Sequence, residues 1–323
     1  MKKAPTPRPE VYDLYWHFAA QRQAIFEKRL ADAPQPWTED HILQTYKFCN
    51  VYRAADRVSQ YLIRNVIYDG LPDSPADKLF QIVAFRTFSS NETWDEVRSY
   101  LGRNPTLQNL AEGSFTQALE HAKKINGKLY THAFILCANN AYGQPAKHLN
   151  HLELFRHMFL KDDLAEKFLT AQSLEEIYHL LHSYPLMGDF MSYQVAIDLN
   201  YSNQINFSEN SFVKAGPGSL RGLQKAFTSL SDYTPEETIL WMVENQTREF
   251  GRLNLRFNGL FSRPLHAIDC QGLFCELDKY CRAKLPELVS TRVRIKTKFS
   301  PSEKRISYFF PPKWGLSDKI NLN

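Results

Sequence analysis

Apolar residues recur at steps of three and four along most of the chain, the spacing that places them on one face of an α-helix. The clearest case follows Thr38-Glu39-Asp40, where apolar residues between Ile42 and Val66 keep this spacing. The pattern predicts a helix there. Proline and glycine between such segments mark turns rather than long linkers. Most of the chain is therefore predicted to be helical, with short connections.

Three later helices are predicted from their first turns. Thr93-x-x-Glu96, Ser173-x-x-Glu176 and Thr234-x-x-Glu237 each have the spacing of a capping box, in which two side chains satisfy the first backbone N–H groups. Strand character is confined to residues 289–298 and 304–310, where β-branched and aromatic side chains gather. These signals predict an all-α protein with a small hairpin or irregular tail.

The composition fits a folded protein rather than a disordered or fibrous one. The chain has 323 residues, of which 43% are hydrophobic and 13% aromatic. Five cysteines are an odd number over a long chain, which argues against a disulfide framework and favours a reducing compartment. No secretion signal and no apolar stretch long enough for a membrane span are visible. We therefore expect a cytoplasmic protein.

The charge of the chain is concentrated near its C-terminal end. The formal net charge is +4, whereas residues 284–313 contain eight basic and two acidic residues and so carry +6. Such a basic segment is typical of proteins that contact phosphates. The four alternating cations Arg292, Arg294, Lys296 and Lys298 fit equally well a solvated edge strand. Both interpretations stay open, and the four residues are candidate DNA contacts.

A tight helical hairpin is predicted between residues 174 and 199. A helix over 174–183 is followed by a turn containing Gly188 and by a second helix from Phe190. Such a turn can direct successive backbone N–H groups at one DNA phosphate, so that Gly188 and Asp189 are candidate DNA contacts. The alternative is an ordinary corner between two helices.

This hairpin resembles the Leu-Pro-Gly-x-Gly turn of helix-hairpin-helix DNA glycosylases. Pro185 and Gly188 match that turn, while Leu186 replaces its first glycine. The resemblance implies a catalytic carboxylate about twenty residues further on, where Glu209 lies, with Asp198 in reserve. A carboxylate beside the sugar would stabilise the positive charge that develops when an N-glycosidic bond breaks. Phe190 stands where the strand-cleaving members have lysine, so no lyase step is expected.

A glycine-rich turn precedes another predicted helix at residues 216–222. Gly216, Gly218 and Arg221 would form an anion-binding site there, since the N-terminus of a helix carries partial positive charge. The alternative is a flexible helix start. The turn lacks the Gly-x-x-x-x-Gly-Lys spacing of a Walker A loop. No nucleotide cofactor is therefore expected. No metal is expected either, because Cys270, Cys275 and Cys281 are three ligands where an iron–sulfur cluster needs four.

A polar stripe is predicted on the helix that covers residue 50. Asn50, Arg53 and Arg57 lie at positions i, i+3 and i+7, and Asp56 lies three residues after Arg53, where it can orient that side chain. Such groups suit a flipped base or its phosphates. The alternative is an internal network of ion pairs. Arg86 is a further candidate for the same cleft.

The sequence also resembles the α-glutamyl/putrescinyl thymine pyrophosphorylase family, which includes the helical domain of 5-hydroxymethyluracil DNA kinases. The matching residues are Pro36-Trp37-Thr38, Asn50-Val51-Tyr52-Arg53 with Asp56-Arg57, Phe85-Arg86-Thr87-Phe88 before Trp94, Ala215-Gly216-Pro217-Gly218 with Arg221-Gly222, Leu273-Phe274-Cys275-Glu276 with Asp278-Lys279-Tyr280-Cys281, and Pro311-Pro312-Lys313-Trp314. The resemblance implies a glycosylase-derived fold that acts on modified pyrimidines in DNA. With it, Asn50, Tyr52, Arg53, Asp56, Arg57 and Arg86 are the candidate base pocket.

Together these observations predict an all-α, helix-hairpin-helix DNA glycosylase-like fold, in which two helical subdomains flank a cleft and a short basic C-terminal extension or hairpin follows. As one compact unit, the chain is divided into residues 1–35 (N-terminal arm and first helix), 36–172 (helical subdomain), 173–230 (hairpin and glycine-rich loop) and 231–323 (C-terminal helices and basic tail).

The predicted function is a monofunctional glycosylase that flips and excises a hydroxymethylated or hypermodified pyrimidine, leaving an abasic site, in defence against phages. Its partner would be modified DNA, such as that of a phage, with no membrane involved. Two alternatives stay open. One is a transferase that displaces pyrophosphate from an activated 5-hydroxymethyl pyrimidine, and the other is a DNA-binding module without catalysis.

Overall fold

A computed structural model describes residues 2–131, 140–288, 295, 297–301 and 306–316. The described residues are mostly α-helical, which confirms the all-α prediction. The α-helices are α1 (Pro9–Leu30), α2 (His41–Thr45), α3 (Arg57–Tyr61), α4 (Pro75–Phe88), α5 (Asn91–Leu101), α6 (Leu107–Glu112), α7 (Ser114–Asn126), α8 (Lys147–Phe155), α9 (Leu164–Thr170), α10 (Leu174–His182), α11 (Asp189–Leu199), α12 (Pro217–Ala226), α13 (Pro235–Arg252) and α14 (Ala267–Lys284). None of these described helices is both long and apolar enough to cross a membrane.

Shorter elements complete the described structure. Two strands, β1 (Thr6–Pro7) and β2 (Phe227–Ser229), pair in antiparallel fashion. The 3-10 helices are Arg53–Ala55 and Pro312–Trp314, and π-helical turns cover Leu62–Ile67 and Arg156–Lys161. The helical content establishes the fold class alone. The helix-hairpin-helix geometry of the glycosylase type and the cleft between subdomains stay predictions.

The chain forms two compact units that are not continuous in sequence. The first unit contains residues 1–56, 212–308 and 315–323, and the second contains residues 57–211 and 309–314. The short segment 309–314 thus joins the second unit although the residues around it belong to the first. The four-segment division made from the sequence stays a prediction.

The first unit is built on α1, α12, α13 and α14. An aromatic cluster forms its core, with the ring centres of Tyr15 and Phe274 4.6 Å apart and those of Trp16 and Phe250 5.0 Å apart. Helices α12 and α14 approach closely because α12 has glycine at its contact. A Cβ atom built on Gly222 would clash with the carbonyl oxygen of Phe274. This glycine therefore serves helix packing.

The second unit surrounds α4, whose residues from Lys78 to Phe88 are all buried. Phe80 packs edge-on against Phe115 and Phe155, with ring centres 5.8 and 6.0 Å apart. Phe85 packs edge-on against Trp94 at 5.4 Å. A helix buried on every side shows weak amphipathic patterning, because little of its surface needs to be polar.

Two of the three predicted helix starts agree with the structure. Thr234 caps α13 in a complete capping box with Glu237, as predicted. Ser173 caps α10 through the Glu176 N–H, but the Glu176 carboxylate accepts from the N–H of Gln172 instead of from Ser173. The start predicted at Thr93 is wrong. Helix α5 begins at Asn91 with Ser90 as its cap, and Thr93 lies in the first turn.

The prediction of a helix from residue 42 to residue 66 is wrong in its middle. Helix α2 ends at Thr45, and the chain is extended or irregular until the 3-10 turn at Arg53. Hydrogen bonds outside the segment explain the interruption. The Lys47 N–H donates to the Thr297 carbonyl at 3.1 Å, and the Phe299 N–H donates to the Thr45 carbonyl at 2.9 Å. Pairing with a distant segment thus replaces the helical bonds.

The predicted strands near the C-terminus are only partly described. Tyr46 and Lys298 form an isolated antiparallel bridge, and the edge strand over the four cations stays a prediction. The Lys298 side chain is exposed. Arg292, Arg294 and Lys296 lie outside the described residues. Residues 306–310, which are described, form no strand.

A matched pair of glycines tests the helix contact in the first unit. Gly222→Ala is expected to lower the free energy of unfolding by about 2 kcal/mol, because the new Cβ must displace the backbone of α14 at Phe274. Gly272→Ala, in α14 itself, meets nothing within 4 Å. It is expected to raise the free energy of unfolding by about 0.5–1 kcal/mol through helix propensity. Urea unfolding of both variants measures the difference, and equal effects would contradict the packing argument.

Candidate functional site

Two predicted site residues, Asp198 and Arg86, bind each other in the core of the second unit. The Arg86 Nε donates to one Asp198 oxygen at 2.5 Å and its Nη2 to the other at 3.3 Å. Both side chains are fully buried. A carboxylate neutralised inside the core has no surface to offer a substrate. The reserve catalytic residue Asp198 and the base-pocket candidate Arg86 thus lie inside the core, and those two roles stay predictions.

Glu209 lies in a turn of the second unit and is 7% exposed. The loop leading to it is closed by Asn200, whose amide donates to the Phe207 carbonyl at 3.0 Å and accepts from the Phe207 N–H at 2.8 Å. Glu209 is thus a buried side chain on a fixed loop, rather than the solvated loop acid that was the alternative to catalysis.

Lys313 fixes the same loop and was missed as a functional candidate. Its ammonium donates to the carbonyls of Asn200, Ser202 and Ile205 at 2.5, 3.0 and 2.7 Å. These carbonyls follow the end of α11, where a cation is also favoured by the helix dipole. The Pro-Pro-Lys-Trp motif carried the only signal for this role, but it does not reveal the distant partners. Lys313 holds the loop that leads to Glu209.

The hairpin between α10 and α11 is present as predicted. Gly188 precedes α11 in extended backbone, and a Cβ there would meet nothing within 4 Å. Leu186, which replaces the first glycine of the glycosylase turn, has a φ of +73°. The backbone thus keeps a left-handed conformation at that position without glycine. The Asp189 carboxylate accepts from the Tyr178 hydroxyl at 2.6 Å and lies 3.1 Å from His182.

The start of α12 is tied to α14 by charge. Asp278 is buried between Arg221, Lys225 and Arg282, whose nitrogens lie 3.0, 2.9 and 2.5 Å from its oxygens. Burial would raise the pKa of Asp278, but the three cationic donors outweigh that effect and lower it. Arg221 is therefore engaged with Asp278.

The glycines of this turn have different surroundings. Gly216 caps α12 from an extended conformation. A Cβ on Gly218 would clash with the sulfur of Cys275. The close approach of α14 accounts for glycine at position 218. The anion-binding site at this turn stays a prediction.

Asn50 and Asp56 close a loop of the first unit. The Asn50 N–H donates to an Asp56 oxygen at 2.9 Å, and the Asn50 amide donates to the Ala55 carbonyl at 2.9 Å. Burial raises the pKa of Asp56 to about 6, against the hydrogen bond from Asn50. The polar stripe on one helix is wrong, since Asn50 is not helical and Arg53 lies in a 3-10 turn. The observed arrangement is nearer to the internal network considered as its alternative.

The flanks of this loop are held by Arg22, which the sequence did not single out, together with Glu276 and the base-pocket candidate Tyr52. The buried Arg22 of α1 donates to the carbonyls of Phe48 and Cys49 at 3.0–3.2 Å. The Cys49 N–H donates to Glu276 of α14 at 3.1 Å. The buried Tyr52 hydroxyl donates to the Arg263 carbonyl at 2.7 Å. Arg22 had no recognisable signal, because one arginine on an apolar helix usually reaches solvent.

The remaining base-pocket candidates are distributed between the two units. Arg53 belongs to the first unit and Arg57, at the start of α3, to the second. Both side chains are partly exposed. Among the residues that the structure describes, no group of three or more His, Cys, Asp or Glu side chains is placed to hold a metal ion.

Comparison with known proteins decides the family. The family model described as "5-hmdU DNA kinase, helical domain" matches residues 9–290. The chain belongs to this family. The resemblance to the helical domain of 5-hydroxymethyluracil DNA kinases, stated from the motifs, is therefore confirmed.

A curated member of the same family is similar over most of this chain. It is the "5-hmdU DNA kinase" of Bacillus phage SP10, with 26% identity over 300 residues. Those residues are 87% of this chain but 46% of the phage protein. The chain thus spans a little under half the length of this relative. No solved structure matches the chain.

Membership of the 5-hmdU DNA kinase helical-domain family overturns the predicted activity. The prediction of a hydrolytic DNA glycosylase is wrong, because the family and the phage relative are named as kinases, which transfer phosphoryl groups and break no N-glycosidic bond. The pyrophosphate-displacing alternative is nearer, since it is a transfer reaction, but it is not a kinase reaction either. Glu209 and Asp198 consequently lose the role of glycosylase carboxylates.

The buried ion pair of the second unit gives a strong stability prediction. Arg86→Met is expected to lower the free energy of unfolding by about 3–5 kcal/mol, because Asp198 is left as a buried charge without its cation. Adding Asp198→Leu to that variant should restore most of the loss, since no buried charge remains. Urea unfolding measures both, with the exposed Lys124→Met as control. A double variant no more stable than Arg86→Met would contradict the explanation.

The raised pKa of Asp56 predicts that the stability difference between the wild type and Asp56→Asn depends on pH. The pKa of Asp56 is raised to about 6 in the folded protein, against about 4 in the unfolded chain. Its protonated form therefore stabilises the fold. This stabilisation is complete below pH 4 and is lost as the pH rises through 6. Asp56→Asn keeps an oxygen for the Asn50 N–H and cannot ionise. Relative to this variant, the wild type should lose on the order of 1–3 kcal/mol between pH 4 and pH 7.

Urea unfolding at four pH values across that range measures this difference. The exposed Glu244→Gln variant is the control and should follow the wild type. A constant difference between wild type and Asp56→Asn would show that Asp56 does not titrate in this interval.

Proposed function

We propose that this chain binds the DNA substrate when 5-hydroxymethyluracil in DNA is phosphorylated. In that reaction a phosphoryl group passes from a nucleoside triphosphate to the oxygen of the 5-hydroxymethyl group. The single observation that carries the proposal is the family match over residues 9–290. The phage relative, named a 5-hmdU DNA kinase, supports the choice of modified base.

The sequence favours substrate binding over nucleotide binding for these 323 residues. None of their glycines begins a Gly-x-x-x-x-Gly-Lys-Ser/Thr loop, the motif whose backbone N–H groups cradle nucleotide phosphates. The phage relative is more than twice as long as the region it shares with this chain. A kinase reaction requires a nucleotide as the phosphoryl donor. The expectation of no nucleotide cofactor therefore applies only to what these 323 residues bind.

The hairpin of the second unit is the first proposed DNA contact. Its tip, Pro185 to Phe190, is largely exposed, and Gly188 leaves open space where a Cβ would stand. A phosphate can therefore approach the backbone at the start of α11, where the helix dipole is favourable. We include in the proposal that this turn is of the helix-hairpin-helix type, and Gly188 and Asp189 remain its proposed contacts.

The cations of the first unit are the second proposed contact. Three cations contact the buried carboxylate of Asp278 at the start of α12. Arg221 is the most exposed of the three, at 18% of its side chain. Gly216 and Gly218 precede it. Lys298 adds an exposed cation on the segment paired with residues 45–47.

Binding to defined duplexes tests the proposal. The chain should bind a duplex containing 5-hydroxymethyluracil more tightly than the same duplex with thymine, and its affinity should fall as salt is raised. Lys298→Gln should weaken binding to both duplexes equally and reduce the salt slope by about 1. Fluorescence anisotropy across a salt series measures these quantities.

The exposed Lys128→Gln variant, which removes the same charge elsewhere, is the control and should bind as the wild type does. Absence of DNA binding, or equal affinity for the two duplexes, would contradict the proposed function. Unchanged binding by Lys298→Gln would remove only that residue from the interface.

A further inference from the structure

Three segments that the sequence analysis singled out meet on one side of the first unit. The first turn of α12 touches α14, because a Cβ atom built on Gly218 would clash with the sulfur of Cys275. The next residue of α14, Glu276, accepts from the Cys49 N–H at 3.1 Å. The first turn of α12 and the loop of residues 49–56 therefore lie side by side along α14.

The loop presents two carboxylates on the same side. Arg22 binds two successive carbonyls of this loop, and in a planar trans peptide the N–H points away from the carbonyl. The N–H groups of Cys49 and Asn50 are thus directed to the opposite side, where they donate to Glu276 Oε2 and Asp56 Oδ1 at 3.1 and 2.9 Å. The other oxygens, Glu276 Oε1 and Asp56 Oδ2, accept no hydrogen bond from the described residues.

The recess formed by Cys49, Asp56 and Glu276 is open to solvent although protein surrounds it. Cys49 is exposed, Asp56 is partly exposed and the Glu276 side chain is 13% exposed. Even so, the negative charge of Glu276 and desolvation by the surrounding protein raise the pKa of the Cys49 thiol. A group that is both accessible and desolvated lies on a concave surface, which is the usual shape of a ligand site.

The first turn of α12, beside this recess, contains a buried donor without an acceptor. Gly216 caps the helix without a side-chain hydrogen bond. Ser219, the third helical residue, is fully buried, and its hydroxyl has no partner among the described residues. Side chains at this position lean back toward the N-cap, so the hydroxyl is directed into the first turn. An anion at the turn would supply the missing acceptor, and the helix dipole favours it there.

Two acids near this turn are paired with cations. Glu236 accepts from the Ala215 N–H at 3.2 Å and lies 3.6 Å from Lys214. Asp278 is paired with Arg221 at 3.0 Å and with two further cations. Neither acid is left unpaired to repel a phosphate at the turn.

We propose that this recess and the first turn of α12 bind the target nucleotide of the DNA. The turn holds its phosphate, and the free oxygens of Asp56 and Glu276 accept hydrogen bonds from its base. The inference rests on the proposed function, because it names the residues that recognise the substrate of that reaction.

The two donors of a 5-hydroxymethyluracil base fit the two carboxylates differently. Glu276 is paired with the Lys279 ammonium at 2.6 Å, so this pair both accepts and donates, as a hydroxyl group does. Among the described residues, only the Asn50 N–H donates to the Asp56 carboxylate, which therefore offers an acceptor alone. We assign the 5-hydroxymethyl group to Glu276 and the ring N–H to Asp56. Thymine shares the ring N–H and lacks the hydroxyl.

Variants of the two carboxylates should affect recognition in different ways. Glu276→Met puts an apolar side chain of similar length at the hydroxyl. The preference for the 5-hydroxymethyluracil duplex over the thymine duplex should fall about tenfold. Asp56→Asn keeps its oxygen on the Asn50 N–H and turns an amide donor toward the ring N–H. It should weaken binding to both duplexes about tenfold and leave the preference unchanged. Fluorescence anisotropy measures both, with the exposed Glu244→Met as control.

Ser219→Ala tests the phosphate site apart from folding. Removal of a buried hydroxyl without a partner should leave the Tm unchanged or raise it. The affinity for both duplexes should fall about tenfold, because the phosphate loses a donor. The exposed Ser99→Ala variant is the control and should change neither quantity.

Alkylation of Cys49 gives a measurement that needs no variant. Modification of the wild type by N-ethylmaleimide, followed by mass spectrometry, should be slowed more by the 5-hydroxymethyluracil duplex than by the thymine duplex, because the bound base covers the thiol.

The outcomes distinguish the two proposals. If the wild type binds no DNA or shows no preference for 5-hydroxymethyluracil, the proposed function fails and the inference with it. If the wild type shows the preference, three results would each show that the inference alone is wrong. These are an unchanged preference in Glu276→Met, unchanged affinity in Ser219→Ala, and equal reactivity of Cys49 with the two duplexes.

Discussion

The ion pair between Arg86 and Asp198 is the contact on which the second unit depends most. It joins the last turn of α4, whose residues from Lys78 onward are all buried, to the last turn of α11. Helix α11 carries the exposed hairpin at its first residue and the loop of Glu209 after its last. Fixing its position therefore fixes both features. Two buried charges are acceptable there because the guanidinium and carboxylate satisfy each other through two hydrogen bonds.

The same principle explains where sequence reasoning failed. Polar residues inside predicted helices were interpreted as DNA-binding groups. Several of them instead form ion pairs or hydrogen bonds within the protein. Arg86 binds Asp198, and Arg221 binds Asp278. A buried polar group needs a partner whether or not the protein has a ligand. Partners far apart in sequence are invisible to local patterns.

Local signals, by contrast, were sufficient where the structure is itself local. The capping box at Thr234, the helices around Gly188 and the start of α12 all follow from neighbouring residues. The helix predicted after Thr45 is wrong because the backbone there bonds to residues 297–299, at least 250 positions away. Motif resemblance found the family correctly, whereas the glycosylase activity inferred from the hairpin is wrong. A turn shared by two proteins indicates a similar backbone conformation. It does not show that the two proteins catalyse the same reaction.

Positive φ at residues other than glycine marks turns whose conformation the surrounding backbone imposes. Among the described residues, eight other than glycine have positive φ, and six of them are Asp, Asn or Ser. Such short polar side chains tolerate this region through local hydrogen bonds. The two exceptions are Leu186 and Phe261, each in a turn whose tip reaches the surface of its own unit. In both turns the flanking backbone imposes the positive φ: the Met187 N–H donates to the Tyr184 carbonyl around Leu186, and Leu260 and Arg263 bond each other across Phe261.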